Sequence, residues 1–157
     1  MEDEHLSLSS LILYEEIIKN SKFTVIAAPV QTPEEALLFL DEARDKDATH
    51  NCWAYKLGPT VYRFNDDGEP SGTAGKPILS AIEGAKLNYV CVLVIRYFGG
   101  IKLGANGLVR AYGGCVRNAL NENIDKIVKV YRRFRVSIQV EFHALGVLYD
   151  IIQPVQK

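Results

Sequence analysis

The sequence predicts an α+β fold, a two-layer α/β sandwich with helices on one face of a sheet, in the order β-β-α-β-β-α-β-α. Three patterns favour this class. Phe23, Val25 and Ala27 alternate with Thr24 and Ile26 over residues 23–27, the two-residue period of a strand. An almost unbroken apolar run over residues 89–98 is typical of a central strand buried on both faces. Between such segments lie stretches with helix-start signals.

The first half of the chain contributes four strands and one helix. Residues 11–19 and 23–27 are predicted to form two strands joined by a turn at Asn20-Ser21. Thr32 followed by Pro33 and a glutamate at the third helical position predicts a capped helix that ends near residue 46. A third strand follows, with Trp53, Tyr55 and Leu57 on one face, and Gly58-Pro59 turns the chain into a fourth strand at residues 61–64.

Two further helices are predicted, one before and one after the central strand in the sequence. Pro77 opens the first, and its apolar residues at 78, 79, 82 and 85 face the core. The second runs from about residue 105 to 120 and has two unlike faces at 100° per residue. One face carries Leu108, Tyr112, Cys115 and Ala119, and the opposite face carries Arg110, Gly113, Gly114 and Arg117.

From Phe134 onward the pattern changes. Residues 134–142 alternate strictly between apolar and polar, which predicts a strand, and an amphipathic helix with Leu145, Leu148 and Ile152 follows. We therefore expect one domain over residues 11–123 and part of a second over residues 124–157. An unpaired strand edge there would favour a homodimer through the C-terminal strand.

Composition restricts the functional classes. The formal net charge of the 157 residues is −1, so any attraction to nucleic acid must come from a local basic surface. No apolar run is long enough to span a membrane. The three cysteines are odd in number and widely spaced, and the acidic N-terminus lacks a secretory pattern. Both features favour reduced thiols and a cytoplasmic protein.

The glycine-rich stretch from Asn65 to Arg117 is the candidate functional region, because dense glycine marks sharp turns or close approach to a ligand. On the third helix, two arginines that flank a glycine patch would admit a phosphate chain or a partner's backbone. Arg96 and Lys102 near the start of this helix add a candidate anion site. The alternatives are a neighbouring helix packed on the glycines and a purely structural turn, since the spacing matches neither a Walker A nor a GxGxxG loop.

Catalytic and metal sites are not expected. Asp66-Asp67-Gly68-Glu69 reads as a polar turn rather than a magnesium site, and Ser71-Gly72-Thr73 as the cap of the second helix. His50 and Cys52 share a strand face, but no third group orients them as a catalytic dyad. Zinc-ligand spacing is absent from the sequence. We therefore expect no cofactor and favour a non-enzymatic role.

Three sequence segments, DDGEPSGTAGKPIL, IRYFGGIKLGANGLVRAYGG and THNCWAY, closely resemble the signature of the YigZ/IMPACT family over about residues 12–121. The signature positions in this chain are Asp66, Asp67, Gly68, Glu69, Pro70, Gly72, Thr73, Gly75, Gly99, Gly100, Gly104 and Gly107. The intact GEPSGTAGKP stretch is similar to the YigZ type.

That resemblance implies a fold like domain 2 of ribosomal protein S5, followed in YigZ-type members by a ferredoxin-like domain. Eukaryotic IMPACT relatives regulate translation. The expected function is a translation-associated regulator that binds RNA, the ribosome or a ribosome-bound protein. Its expected contacts are Arg96, Lys102, Arg110, Gly113, Gly114 and Arg117. The alternative is an enzyme or sensor for a small phosphorylated ligand bound at the start of the third helix.

Overall fold

An antiparallel five-stranded sheet organises the protein in the computed structural model, which describes residues 2–133. The strands are β1 (Glu2–Leu8), β2 (Ile12–Ile18), β3 (Ser21–Pro29), β4 (His50–Lys56), β5 (Tyr62–Asn65), β6 (Val90–Tyr97) and β7 (Ile127–Arg133). The helices are α1 (Pro33–Ala43), α2 (Gly75–Gly84) and α3 (Gly104–Glu122), and a short 3₁₀ helix spans Ile124–Lys126. The large sheet has the order β2-β3-β6-β4-β5.

The α+β class and the element order predicted for residues 11–121 are confirmed. The β2–β3 hairpin turns through Lys19 and Asn20, both at positive φ, so that Ile18 pairs with Ser21. The Thr32 hydroxyl accepts a hydrogen bond from the Glu35 amide at 3.1 Å and caps α1 as predicted. No helix among the described residues is long and apolar enough to cross a membrane.

The helices lie on both faces of the sheet, so the expectation that one face carries all of them is wrong for α1. Helices α2 and α3 pack on the face formed by residues such as Phe23, Val92 and Val94. Helix α1 packs on the other face, where Leu40 meets Leu93. The cause is β6, which is buried on both sides as predicted and therefore needs apolar cover on both.

A second, two-stranded sheet joins β1 to β7 and was not predicted. β1 reads as an acidic tail, but its Leu6 and Leu8 pack against the main core while its backbone pairs with β7. The strand predicted at residues 134–142, the helix that follows it and the homodimer contact expected there lie outside the described residues. The homodimer remains a prediction.

Candidate functional site

Asp66 anchors the signature loop that precedes α2. One of its carboxylate oxygens accepts hydrogen bonds from the amides of Ala74 (3.1 Å) and Gly75 (2.8 Å), and the other accepts one from the Gly72 amide (3.0 Å). A carboxylate at a helix N-terminus satisfies free amides and complements the helix dipole. Asp66 therefore caps α2, and the prediction that Ser71-Gly72-Thr73 would do so is wrong. The Thr73 hydroxyl instead donates to the Pro70 carbonyl at 2.6 Å.

The carboxylate of the next residue, Asp67, also accepts a hydrogen bond from the backbone. Asp67 accepts a hydrogen bond from the Asn51 amide at 2.6 Å, and its carbonyl oxygen lies 2.8 Å from Nδ1 of His50. Among residues 2–133, no group of three or more histidine, cysteine, aspartate or glutamate side chains is placed to hold a metal ion. The loop thus has the hydrogen bonding of the polar turn that its sequence favours.

Glu69 turns inward from this loop and meets Arg96 in the core. The Arg96 side chain is 6% exposed and the Glu69 side chain 3%, and one guanidinium nitrogen lies 2.9 Å and 3.1 Å from the two carboxylate oxygens. The Arg96 Nε also donates to Ser21. A buried charge needs such a partner, because an unpaired one is costly to desolvate. The expectation that Arg96 contributes to a contact surface is therefore wrong.

Three further side chains complete this buried cluster. The Tyr112 hydroxyl donates to Glu69 at 2.5 Å, and Nε2 of His50 lies 3.3 Å from the other Glu69 oxygen. The Cys52 thiol lies 3.4 Å from the Tyr112 hydroxyl. Burial raises the pKa of Cys52 to about 12 and also raises the pKa of Tyr112. Cys52 and Tyr112 are therefore held neutral, and a thiol in this state is a poor nucleophile.

Two signature glycines allow close backbone contacts. A Cβ at Gly75 would lie 2.7 Å from the Asn65 amide nitrogen, and a Cβ at Gly99 would lie 2.0 Å from the Asn20 carbonyl oxygen. These contacts fix the start of α2 against β5 and the loop before α3 against the β2–β3 turn. The remaining signature glycines, Gly68, Gly72, Gly100, Gly104 and Gly107, lie in the same two loops or in the first turn of α3.

Helix α3 divides into the two faces that its sequence predicts, with one difference. The face of Leu108, Tyr112, Cys115 and Ala119 is buried, and Arg110 and Arg117 are exposed. Gly113, however, is covered by α2: a Cβ there would lie 3.5 Å from the Pro77 carbonyl oxygen and 3.1 Å from an Arg117 nitrogen. A Cβ 3.5 Å from α2 would be an ordinary van der Waals contact, so the glycine at 113 matters for the room that it leaves to the Arg117 head group.

A groove of about 300 Å³ lies between the two helices. We call it the α2–α3 groove, and its residues are Gly72, Lys76, Pro77, Ser80, Val109, Arg110, Gly113 and Arg117. It continues into two neighbouring depressions, because Arg110 also borders one that includes Lys19, and Arg117 borders one that includes Asn121. Among the described residues that line these three depressions, none is acidic.

The cations of the α2–α3 groove, Lys76, Arg110 and Arg117, are exposed and form no ion pair with another described residue. By contrast, Lys56 and Lys129 on other surfaces each hold a glutamate at 2.9 Å. Unpaired cations in a concave surface attract phosphate or carboxylate groups.

The site residues predicted from sequence are therefore separated. Arg110, Gly113 and Arg117 line the α2–α3 groove, and Gly114 is half-buried beside them. Lys102 is exposed in the loop before α3 but does not line the groove. The sequence did not predict Lys76 or Lys19, because they lie outside α3, on α2 and in the β2–β3 turn. The one sequence signal for Lys76 was its position inside the signature GTAGKP.

Comparisons with known proteins agree with the resemblance seen in the signature segments. The Impact N-terminal domain matches residues 19–120. A relative described as an IMPACT family member from Thermus thermophilus is 60% identical over 66% of this chain and 57% of its own length. The relative YigZ from Escherichia coli is 38% identical over 83% of this chain and 66% of its own length. The chain thus spans less than two thirds of these relatives.

A solved structure described only as a hypothetical protein supports the fold. It is 34% identical in sequence, covers 98% of this chain and 76% of its own length, and gives a TM-score of 0.78.

Proposed function

Because this chain belongs to the Impact N-terminal domain family, we propose that it is a translation-associated regulatory protein that binds RNA phosphates, free or on the ribosome, through the α2–α3 groove. The family resemblance supplies the translation context. The observation that carries the proposal is the set of exposed cations Lys76, Arg110 and Arg117, which have no acidic neighbour among the described residues that line the groove. The role is one of docking rather than catalysis.

The shape of the α2–α3 groove supports contact with a phosphate backbone. Arg110 and Arg117 are seven residues apart on α3, so their Cα atoms are separated by roughly 10 Å along the helix axis. Lys76 projects from the facing helix. The described lining holds no aromatic side chain on which a base could stack, so the groove favours phosphates over bases.

The test is binding of a fluorescently labelled RNA oligonucleotide, and of purified ribosomes, across salt concentration. We expect affinity to fall steeply as salt rises, since phosphate contacts release counterions. The double variant Arg110→Glu with Arg117→Glu should lower RNA affinity more than tenfold at low salt. The control Lys22→Glu with Lys46→Glu changes net charge equally outside the groove and should bind nearly as the parent does. Equal losses in both variants would contradict the proposal.

A second candidate is a small phosphorylated ligand at the start of α3. One observation favours it: among residues 2–133 no side chain caps this helix, whereas Thr32 caps α1 and Asp66 caps α2. Exposed Lys102 lies two residues before the helix. A thermal-shift screen with nucleotides, sugar phosphates and magnesium should then give a stabilisation that Lys102→Gln abolishes. A flat response would exclude this candidate.

A further inference from the structure

Helix α1 presents a surface of the opposite character to the α2–α3 groove. It carries four carboxylates, Glu34, Glu35, Asp41 and Glu42, and no basic residue. All four are exposed, and within the described residues none forms an ion pair. Glutamates in the first turn stabilise the helix through its dipole. Asp41 and Glu42 lie near its C-terminal end, where a negative charge does not stabilise a helix.

The same surface exposes apolar side chains. Ala36 and Leu40 already form the buried stripe of α1, yet Leu37 is 43% and Leu38 59% exposed. These two adjacent leucines lie among the carboxylates on the side that faces solvent. Neither leucine belongs to the core cluster beneath α1, to which this helix contributes Ala36, Phe39, Leu40 and Ala43.

A cleft lies beside α1, next to these exposed leucines and carboxylates. Its volume is about 200 Å³, and Leu37, Leu40, Trp53 and Leu93 form its apolar part, with Asp41 and Arg44 at the side. Asp67 also borders the cleft, but its carboxylate is already bonded to the Asn51 amide. Pockets for small organic ligands commonly measure about 300–1,000 Å³, so this cleft is of a size for one anchoring side chain.

We propose that α1 and this cleft bind a basic amphipathic segment of a partner protein. An apolar anchor from the segment enters the cleft against Trp53 and Leu37. Its lysines or arginines pair with Asp41, Glu42 and Glu34. Apolar anchors surrounded by complementary charge are the usual anatomy of a protein interface. The four carboxylates outnumber Arg44, the one basic residue among those that line the cleft, so the surface as a whole repels phosphate. Its partner is therefore distinct from that of the α2–α3 groove.

The chain contains a reporter for this contact, because Trp53 is its single tryptophan. The experiment is a fluorescence titration of the full chain with a synthetic amphipathic helical peptide of lysine and leucine. A matched peptide with glutamate in place of lysine is the first control, and a peptide with glutamine in place of leucine is the second. We expect a saturable change in Trp53 emission with the lysine-leucine peptide only.

Variants separate the proposed surface from general charge attraction. Asp41→Lys and Leu37→Ser should each weaken peptide binding at least tenfold. Glu122→Lys, an equal charge reversal on α3, should change it less than twofold. Circular dichroism on each variant establishes that the fold is intact. The proposal is overturned if the lysine-leucine peptide gives no saturable change, if Glu122→Lys weakens binding as much as Asp41→Lys, or if an RNA oligonucleotide changes Trp53 emission equally.

Discussion

The buried Glu69–Arg96 cluster and the exposed α2–α3 groove contain arginines that the sequence places in one glycine-rich stretch. Arg96 is almost fully removed from solvent and is neutralised by Glu69. Arg110 and Arg117 face solvent and have no acidic partner among the described residues. The first arginine holds the signature loop to the sheet, and the other two are the residues that we propose contact an anion. Burial and pairing, rather than residue type, decide which of these roles an arginine has.

The largest expected effect comes from Glu69→Gln. Removing one partner of a buried ion pair leaves the other charge uncompensated, which costs about 3–5 kcal/mol. We expect urea unfolding to show a loss of that order, with RNA affinity retained wherever the variant is folded. Glu83→Gln is the control, because the Glu83–Lys56 pair is partly exposed and contributes at most about 1 kcal/mol. If the two variants lost similar free energies of unfolding, the buried ion pair would not contribute more to stability than the partly exposed one.

The next effect concerns a glycine of the signature loop. Gly75→Ala places a Cβ 2.7 Å from the backbone of Asn65, which cannot move without disturbing β5. We expect a loss of about 1–3 kcal/mol in the free energy of unfolding. Gly84→Ala, near the end of the same helix, meets no atom within 4 Å and should not destabilise the protein. If Gly75→Ala left the free energy of unfolding unchanged, the close approach of position 75 to Asn65 would not require glycine.

A smaller effect of opposite sign is expected in α3. Alanine is favoured over glycine in a helix by up to about 1 kcal/mol, so Gly113→Ala and Gly114→Ala should each leave stability unchanged or slightly raised. Only the Cβ at position 113 comes within 3.1 Å of the Arg117 head group; at position 114 the distance is 3.9 Å. RNA affinity should therefore fall in Gly113→Ala alone. Equal RNA affinity in both variants would show that RNA binding does not depend on where the Arg117 head group lies.

The smallest effect on stability is expected for Arg110→Gln. An exposed, unpaired side chain can be replaced with a change within about 0.5 kcal/mol. The same substitution should make the negative slope of log affinity against log salt shallower by about 0.7 for single-stranded RNA, the contribution of one phosphate contact. Lys46→Gln should leave that slope unchanged. A change of slope in both variants would indicate attraction by overall charge instead of contact in the groove.

Local patterns predicted most of the fold correctly because each depends on residues close together in sequence. The α1 cap needs only Thr32 and the amide three residues later. The double burial of β6 follows from its composition. The two faces of α3 follow from helical periodicity. The position of α1 on the second sheet face was also implied by β6, since a strand buried on both sides requires cover on both.

The site was predicted less well, because its geometry depends on distant residues. Asp66 caps α2 from eight and nine positions upstream of the bonded amides, which no local capping pattern reveals. Lys76 joins the arginines of α3 only through helix packing. Arg96 could have been recognised: a charged residue inside a strand predicted to be buried on both faces must have a buried partner. Glu69 is that partner, 27 positions away.

The pairing of β1 with β7 has a consequence for the order in which the chain folds. Every pair in this two-stranded sheet, from Leu8 with Ile127 to Glu2 with Arg133, closes a loop of roughly 120 to 130 residues. Such distant contacts form after local ones, and a two-stranded sheet is marginal without the core beneath it. Amides of β1 and β7 should therefore lose hydrogen-exchange protection before those of β6, so the outermost strands open while the large sheet stays intact.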